Sequence, residues 1–166
     1  VETNLVYDQW THFAGVFDAS NKLFLYVNGQ LVDSLSTSFS GLKDNSAPFL
    51  VGAHVNWSPY NRYEWSWKGN LDDVALWNIA LSNEEIQQLV SCSPKGTENG
   101  LEGYWNFEEG SGNTVYDQTS NGNNGTINGA QYDPNVPSQS CQLTSTSGCD
   151  SVAVLNLTIN QADTSY

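Results

Sequence analysis

The chain has 166 residues, of which 18 are acidic and 5 basic, for a formal net charge of −13, and 39% are hydrophobic. That length suffices for one domain with a core and a short piece of a second. No run approaches the ~18 apolar residues of a bilayer crossing, and the charge would repel a phosphate backbone, which sets aside membrane insertion and nucleic-acid binding.

Strong acidity with few lysines suits a protein in a salty exterior, where screening limits self-repulsion to about 8 Å. Methionine is absent, so the sequence reads as a segment of something longer. Cys92, Cys141 and Cys149 lack both C-x-x-C spacing and a neighbouring histidine cluster, which disfavours a zinc site. One disulfide in an oxidising compartment is expected. Closing Cys92 to Cys141 removes roughly 4 kcal/mol of denatured-chain entropy against about 2.5 kcal/mol for Cys141 to Cys149, so the longer loop is preferred and Cys149 is left for another partner. Three free thiols in a cytosolic protein are the alternative.

In chain order, "WTHFAGVF" from Trp10 alternates bulky and small side chains. "KLFLYVNGQLVDSL" then places Asn28-Gly29 between two apolar alternations, a strong hairpin signal. "PFLVGAHV" from Pro48 reads as a further strand, followed by the aromatic stretch "NWSPYNRYEWSW". In "GNLDDVALWN" a strand puts Leu71, Asp73, Ala75 and Trp77 on one side and Asp72, Val74, Leu76 and Asn78 on the other. Ser82 and Glu85 form an S-x-x-E capping box with Leu81 and Ile86 at the staple positions, so a short helix is predicted near 83–90, starting at Asn83. "GLEGYWNFEEG" follows as a strand with Leu101, Gly103, Trp105 and Phe107 on one face and Glu102, Tyr104, Asn106 and Glu108 on the other. The Gly/Asn-dense stretch "GSGNTVYDQTSNGNNGTINGAQYD" predicts tight turns in place of regular structure. From Gln142 the chain becomes Ser/Thr-rich, and "SVAVLNLTIN" gives one isolated apolar strand that cannot stand alone. Two units are therefore expected, 1–141 and 142–166, the latter a linker and single strand of a following repeat module.

"WTHFAGVFDASNKLFLYVNGQLV" and "WKGNLDDVALWNIALSNEEI" resemble the second half of laminin G-like domains of the concanavalin A-like lectin/glucanase superfamily. "GLEGYWNFEEGSGNTVYDQTSNGNNGTINGA" resembles the opening of such domains, yet here it follows the helix, so the order is permuted. The resemblance implies an all-β fold, an antiparallel two-sheet β-sandwich of jelly-roll type. The family's strands between its opening and its "W-x-H" strand are expected to precede Val1, which would leave strand edges and an apolar sheet face open to a second copy or a missing segment. Resemblance of the tail to repeats of secreted surface proteins of marine Bacteroidetes implies a large exported parent.

Glycoside hydrolysis needs two carboxyl groups about 5 to 9.5 Å apart on one side of a cleft. Adjacent strand residues point to opposite faces, so Asp72 and Asp73 are not expected to form such a dyad and are read as anchors for a turn or for backbone amides. Glu102 and Glu108 share a face but stand roughly 20 Å apart along a strand. The E-x-D-x-x-E pattern of the superfamily's glucanases is missing, as are G-x-S-x-G and H-E-x-x-H. His12, in the "W-x-H" strand, is read as a hydrogen-bonded structural residue.

Sugars stack apolar faces on aromatic rings, which makes Trp57 and Tyr60, bracketing Pro59, the candidate platforms, with Asn61 and Arg62 as hydrogen-bonding neighbours. Trp67 occupies a position where the family has an inward aromatic and is expected in the core. Asp117, Asn121 and Asn123 bring oxygens into a glycine-rich turn that either holds one structural Ca2+ or is an Asx-stabilised turn needing no metal. These features predict a non-catalytic lectin-like module of a secreted, surface-attached adhesin-type protein, binding a glycan or another cell-surface ligand, with homo-oligomers through exposed strand edges. The competitors are an accessory domain of an exported glycoside hydrolase and a spacer without ligand.

Overall fold

The computed structural model describes residues 8–38, 41, 48–55, 63–64 and 67–138. Nine strands and one short helix make up the described elements, and every strand pairing is antiparallel. The largest sheet has the order β1 (Phe13–Phe17), β2 (Lys22–Val27), β3 (Gln30–Ser36). Asp18 closes the β1–β2 turn. Its carboxylate accepts from the amides of Ser20 and Lys22, each at 2.9 Å, which holds it below the usual carboxylate range and leaves Asn21 at φ +60°.

Asn28 and Gly29 form the two-residue β2–β3 connection with both φ positive, +49° and +72°, as a type I′ turn demands. The Asn28 side chain accepts from the His12 amide at 3.0 Å, and the Asn28 amide donates to the His12 carbonyl at 2.8 Å, tying the turn to the start of β1. A Cβ on Gly29 would lie 3.0 Å from Val90 and 3.2 Å from the Gln87 backbone, so this close approach to the helix also requires glycine.

Helix α1 (Asn83–Leu89) begins as the sequence predicts. The Glu85 amide donates to the Ser82 hydroxyl, and the Glu85 carboxylate accepts from the Ser82 amide at 2.7 Å. Seven residues are too few to persist alone. Ile86, 0% exposed, supplies the packing that keeps them helical.

β4 (His54–Val55) pairs with β5 (Tyr63–Glu64), and β6 (Val74–Trp77) with β7 (Leu101–Trp105). β8 (Thr114–Val115) pairs with β9 (Gly125–Thr126). Among the described residues the buried apolar side chains are Tyr26, Ile86, Leu101, Tyr104, Trp105 and Val115, half of them on β7. The Trp105 indole lies over Gly103, where a Cβ would come within 2.5 Å of the ring, and its Nε1 donates to the Asn123 carbonyl at 2.9 Å.

Several expectations shift. The strand read from Pro48 is reduced to His54–Val55, with Gly52 at φ +73° bending the chain before it. β6 starts at Val74, three residues later than the alternation suggested, because Asp73 has φ +51°. β7 stops at Trp105, and Phe107 at φ +54° turns the chain away. Two short strands, β8 and β9, form inside the Gly/Asn stretch expected to be all turn. His12 is held through its amide and carbonyl to Asn28, its Nδ1 has no hydrogen-bond partner among the described residues, and desolvation lowers the imidazole pKa.

Candidate functional site

A pocket of about 140 Å³ lies at the start of β6 and the end of β7, lined by Asp72, Asp73, Ser93, Tyr104, Asn106, Glu108, Val136 and Pro137. Period-two alternation places Tyr104, Asn106 and Glu108 on one face. Asp72 and Asp73 reach the same pocket because the left-handed backbone at Asp73 interrupts the pleat before β6 begins. The expectation that these adjacent carboxylates point apart is thus overturned. It presumed extended backbone at both residues, and only aspartate, asparagine and glycine visit φ > 0 at modest cost.

The two aspartates play different parts. Oδ1 of Asp73 accepts from the Tyr104 hydroxyl at 2.5 Å and Oδ2 from the Ser93 hydroxyl at 2.6 Å, so both oxygens are engaged from two other segments of the chain. Burial, then the hydrogen bond to Asp73, pushes the Tyr104 phenol well above its ordinary pKa. Oδ1 of Asp72 accepts from the Asp73 amide at 3.0 Å. Burial, followed by the charges of Asp73 and Glu108, pushes the Asp72 carboxyl up to about 6. With acceptors, hydroxyls and the Asn106 amide around one small volume, the pocket can hydrogen-bond a hydroxylated ligand, while three carboxylates disfavour an anion.

Trp67 precedes Asp72 by five residues in the chain. Its amide donates to the Gly52 carbonyl at 2.7 Å, and the indole Nε1 lies 3.1 Å from where a Cβ on Gly69 would be, a spacing that a side chain there would crowd. The side chain is 53% exposed. This corrects the expectation of an inward aromatic. The sequence does carry a signal, since a glycine two residues from a tryptophan leaves room for the ring, but it does not say which face stays open. Asn70 donates to the Asn135 carbonyl at 3.5 Å, tying the segment after Trp67 to the residue before Val136 and Pro137 of the pocket lining.

Of the predicted sugar contacts, Trp57, Tyr60, Asn61 and Arg62 lie outside the described residues. So do Cys141 and Cys149, and with them the expected Cys92–Cys141 bond, as well as the segment 142–166.

Asp117, Asn121 and Asn123 do come together, as a closed hydrogen-bonded loop. Oδ1 of Asp117 accepts from the amides of Tyr104, at 3.1 Å, and Thr119, at 2.9 Å. Oδ2 accepts from the Thr119 hydroxyl and the Asn123 amide, both at 2.9 Å. Burial opposes ionisation of Asp117, but the backbone amides of Thr119, Tyr104 and Asn123 outweigh it and hold the carboxyl below the usual range. The side-chain nitrogens of Asn121 and Asn123 both donate to the Glu102 carbonyl, at 3.0 and 2.8 Å. Calcium requires six to eight oxygens, whereas donors face this carboxylate. No group of three His, Cys, Asp or Glu side chains that could hold a metal exists among the described residues. The hydrogen bonds printed here are those of an Asx-stabilised turn.

No helix among the described residues is long and apolar enough to cross a membrane. No curated protein matches the chain. A candidate carbohydrate-binding protein from Bacteroides ovatus is similar in structure, with a TM-score of 0.64 and 24% identity over 78% of this chain and 37% of that one. An S-layer domain-containing protein from Clostridium thermocellum matches at a TM-score of 0.41 and 28% identity, over 54% of this chain and 43% of its own. The chain thus spans less than half the length of either solved chain. The family model for laminin G domains of the concanavalin A-like lectin/glucanases superfamily matches residues 2–87, just over half of the sequence. With its antiparallel strands and single capped helix, the chain belongs to that superfamily.

Proposed function

We propose that the chain is a non-catalytic saccharide-binding module of a multi-domain protein exposed outside the cell. The observation that carries this reading is the pocket between β6 and β7, whose lining offers carboxylate, amide and hydroxyl groups to a hydroxylated ligand. Engagement of both Asp73 oxygens by Tyr104 and Ser93 supports a positioning role for this carboxylate and not that of a nucleophile or base. Superfamily membership supports the same reading, as does the likeness of fold to a candidate carbohydrate-binding protein. The outward-facing composition, acidic and poor in lysine, supports an extracellular setting. Trp57, Tyr60, Asn61 and Arg62 remain the proposed loop contacts to glycan, and a second copy is proposed to pair at strand edges.

A glycan array probed with the wild-type chain and with Trp57→Ala and Tyr60→Ala tests the reading. Binding by the wild type, weakened in the variants, is the expected result, and no signal on any glycan overturns it in favour of a spacer. One observation favours a second reading, an exported glycoside hydrolase. A carboxyl raised to about 6 beside two others is the electrostatic setting of a general acid. Release of reducing sugar by the wild type and its loss in Asp72→Asn would establish that instead.

A further inference from the structure

We propose that Asn99, in the turn that leads into β7, is the residue at which the folded chain deamidates first, and that the isoaspartyl linkage formed there loosens this strand. The modification is independent of whether the pocket binds a saccharide.

The chain holds five Asn-Gly pairs, beginning at Asn28, Asn99, Asn121, Asn124 and Asn128. Glycine has no Cβ to shield its backbone nitrogen from the side chain before it. That nitrogen, giving its proton to solvent, bonds to Cγ of the asparagine, the Cγ–Nδ2 bond breaks, and Nδ2 takes up a proton and leaves as ammonia. Water then opens the succinimide at either carbonyl, yielding aspartate or isoaspartate. The reaction needs an asparagine side chain free to turn toward the next nitrogen, and no reactant beyond water.

All five asparagines are exposed, so access does not rank them, whereas hydrogen bonding does. Oδ1 of Asn28 accepts from the His12 amide and Oδ1 of Asn124 from the Asp117 amide, both at 3.0 Å. Nδ2 of Asn121 donates to the Glu102 carbonyl at 3.0 Å. Each of these side chains must give up its bond in a local opening before Cγ can reach the next nitrogen. Asn128 keeps one long bond, 3.4 Å to the Thr126 carbonyl. The Asn99 side chain has no hydrogen bond among the described residues.

The same turn has little slack. The Gly100 carbonyl accepts from the Asn78 amide at 2.8 Å, joining the end of β6 to the start of β7. Gly100 has φ +80°, and a Cβ on it would come within 2.7 Å of the Ile79 side chain. An isoaspartyl linkage routes the main chain through Cβ and Cγ of residue 99, which adds one methylene to this turn and pushes Gly100 against Ile79 or away from Asn78. It also sets a new carboxylate between Glu98 and Glu102 in a chain that already carries −13.

Ageing the full chain in warm, mildly alkaline buffer, both folded and in urea, tests this, with peptide mapping by fragmentation mass spectrometry and labelling by an isoaspartyl methyltransferase. In the folded chain Asn99 should convert about tenfold faster than Asn28, Asn121 and Asn124, the factor that one hydrogen bond of ordinary strength supplies, with Asn128 in between. In urea the rates of all five should converge. Aged wild type should melt below fresh protein, while Asn99→Gln aged alongside should hold its midpoint. Fresh Asn99→Asp, which adds the charge without the extra methylene, should melt closer to fresh than to aged wild type. Conversion led by any of the three firmly bonded asparagines, the same spread of rates in urea as in the folded chain, or an intact Asn99 after the urea sample has converted overturns the site. Conversion of Asn99 with no change in melting midpoint overturns the loosening of β7.

Discussion

Two regions of this molecule solve the same problem by different means. Around β7, the strand is locked by side chains reaching in from sequence-distant loops. Asp117 takes the Tyr104 amide, Asn121 and Asn123 take the Glu102 carbonyl, and Asp73 takes the Tyr104 hydroxyl. The β1–β2–β3 sheet instead relies on its own ladder. Its register aligns Phe17 with Leu23 and Leu23 with Leu35, and on that face Leu25 is 40% and Leu35 63% exposed. Tyr26, whose side chain points to the opposite face, is buried. The contrast shows that strand pairing with its connecting turns fixes the register of a sheet, whereas burial of its apolar face needs a second layer.

The largest expected effect lies where the helix meets the core. Ile86→Ala should cost about 2–5 kcal/mol in urea denaturation, because the side chain is fully buried and truncation leaves a cavity. A loss below 1 kcal/mol would mean the helix contributes little to closing the structure. Next comes Asp117→Ala, which strips acceptors from the Tyr104 and Asn123 amides and should cost about 1–3 kcal/mol. Since the folded pKa of Asp117 is depressed, its contribution is present above the unfolded carboxylate pKa and is lost as pH falls through the folded value. The wild-type advantage over Asp117→Ala should therefore shrink on acidification below pH ~4.

Substitutions on the open sheet face should behave differently. Leu25→Asn with Leu35→Asn should change monomer stability by less than about 0.5 kcal/mol, since little burial is lost. The same pair should reduce any self-association seen in sedimentation velocity at micromolar concentration. A stability loss of several kcal/mol would show that this face is already covered.

A smaller, pH-gated effect belongs to Asp72. Its folded pKa of about 6 lies above the ordinary 3.8, so the folded state binds more protons between those values. Stability should fall as pH rises through that window and level off above it. Asp72→Asn keeps an acceptor for the Asp73 amide and should stabilise the chain at pH 7, by less than about 1 kcal/mol after solvent screening, with no difference left by pH ~4. A melt insensitive to both chelator and added calcium is the smallest expected effect, and a clear upward shift with calcium would reopen the Asp117 loop as an ion site.

Legibility in the sequence followed the range of the interactions involved. Asn28-Gly29 and the Ser82–Glu85 box were readable because the residues that set each conformation lie within three positions of one another. Asp117 was readable as the centre of a turn but not as a saturated one, because the Tyr104 amide that binds it comes from thirteen residues away. Asp73 was misread for the same reason. Alternation holds only while φ stays extended, and here Tyr104 and Ser93, thirty-one and twenty residues on, hold the carboxylate of a residue in the left-handed region. Trp67 was readable as an aromatic close to a glycine, but its exposure depended on packing that the local sequence does not encode.

By itself, then, the sequence determined the strand-rich class, the hairpin and the capped helix, since each follows from local dihedral preference or period-two patterning. Tertiary structure alone decided that two neighbouring aspartates share one pocket and that Trp67 is left exposed. Both depend on backbone sign and on partners distant in the chain, which no local pattern encodes.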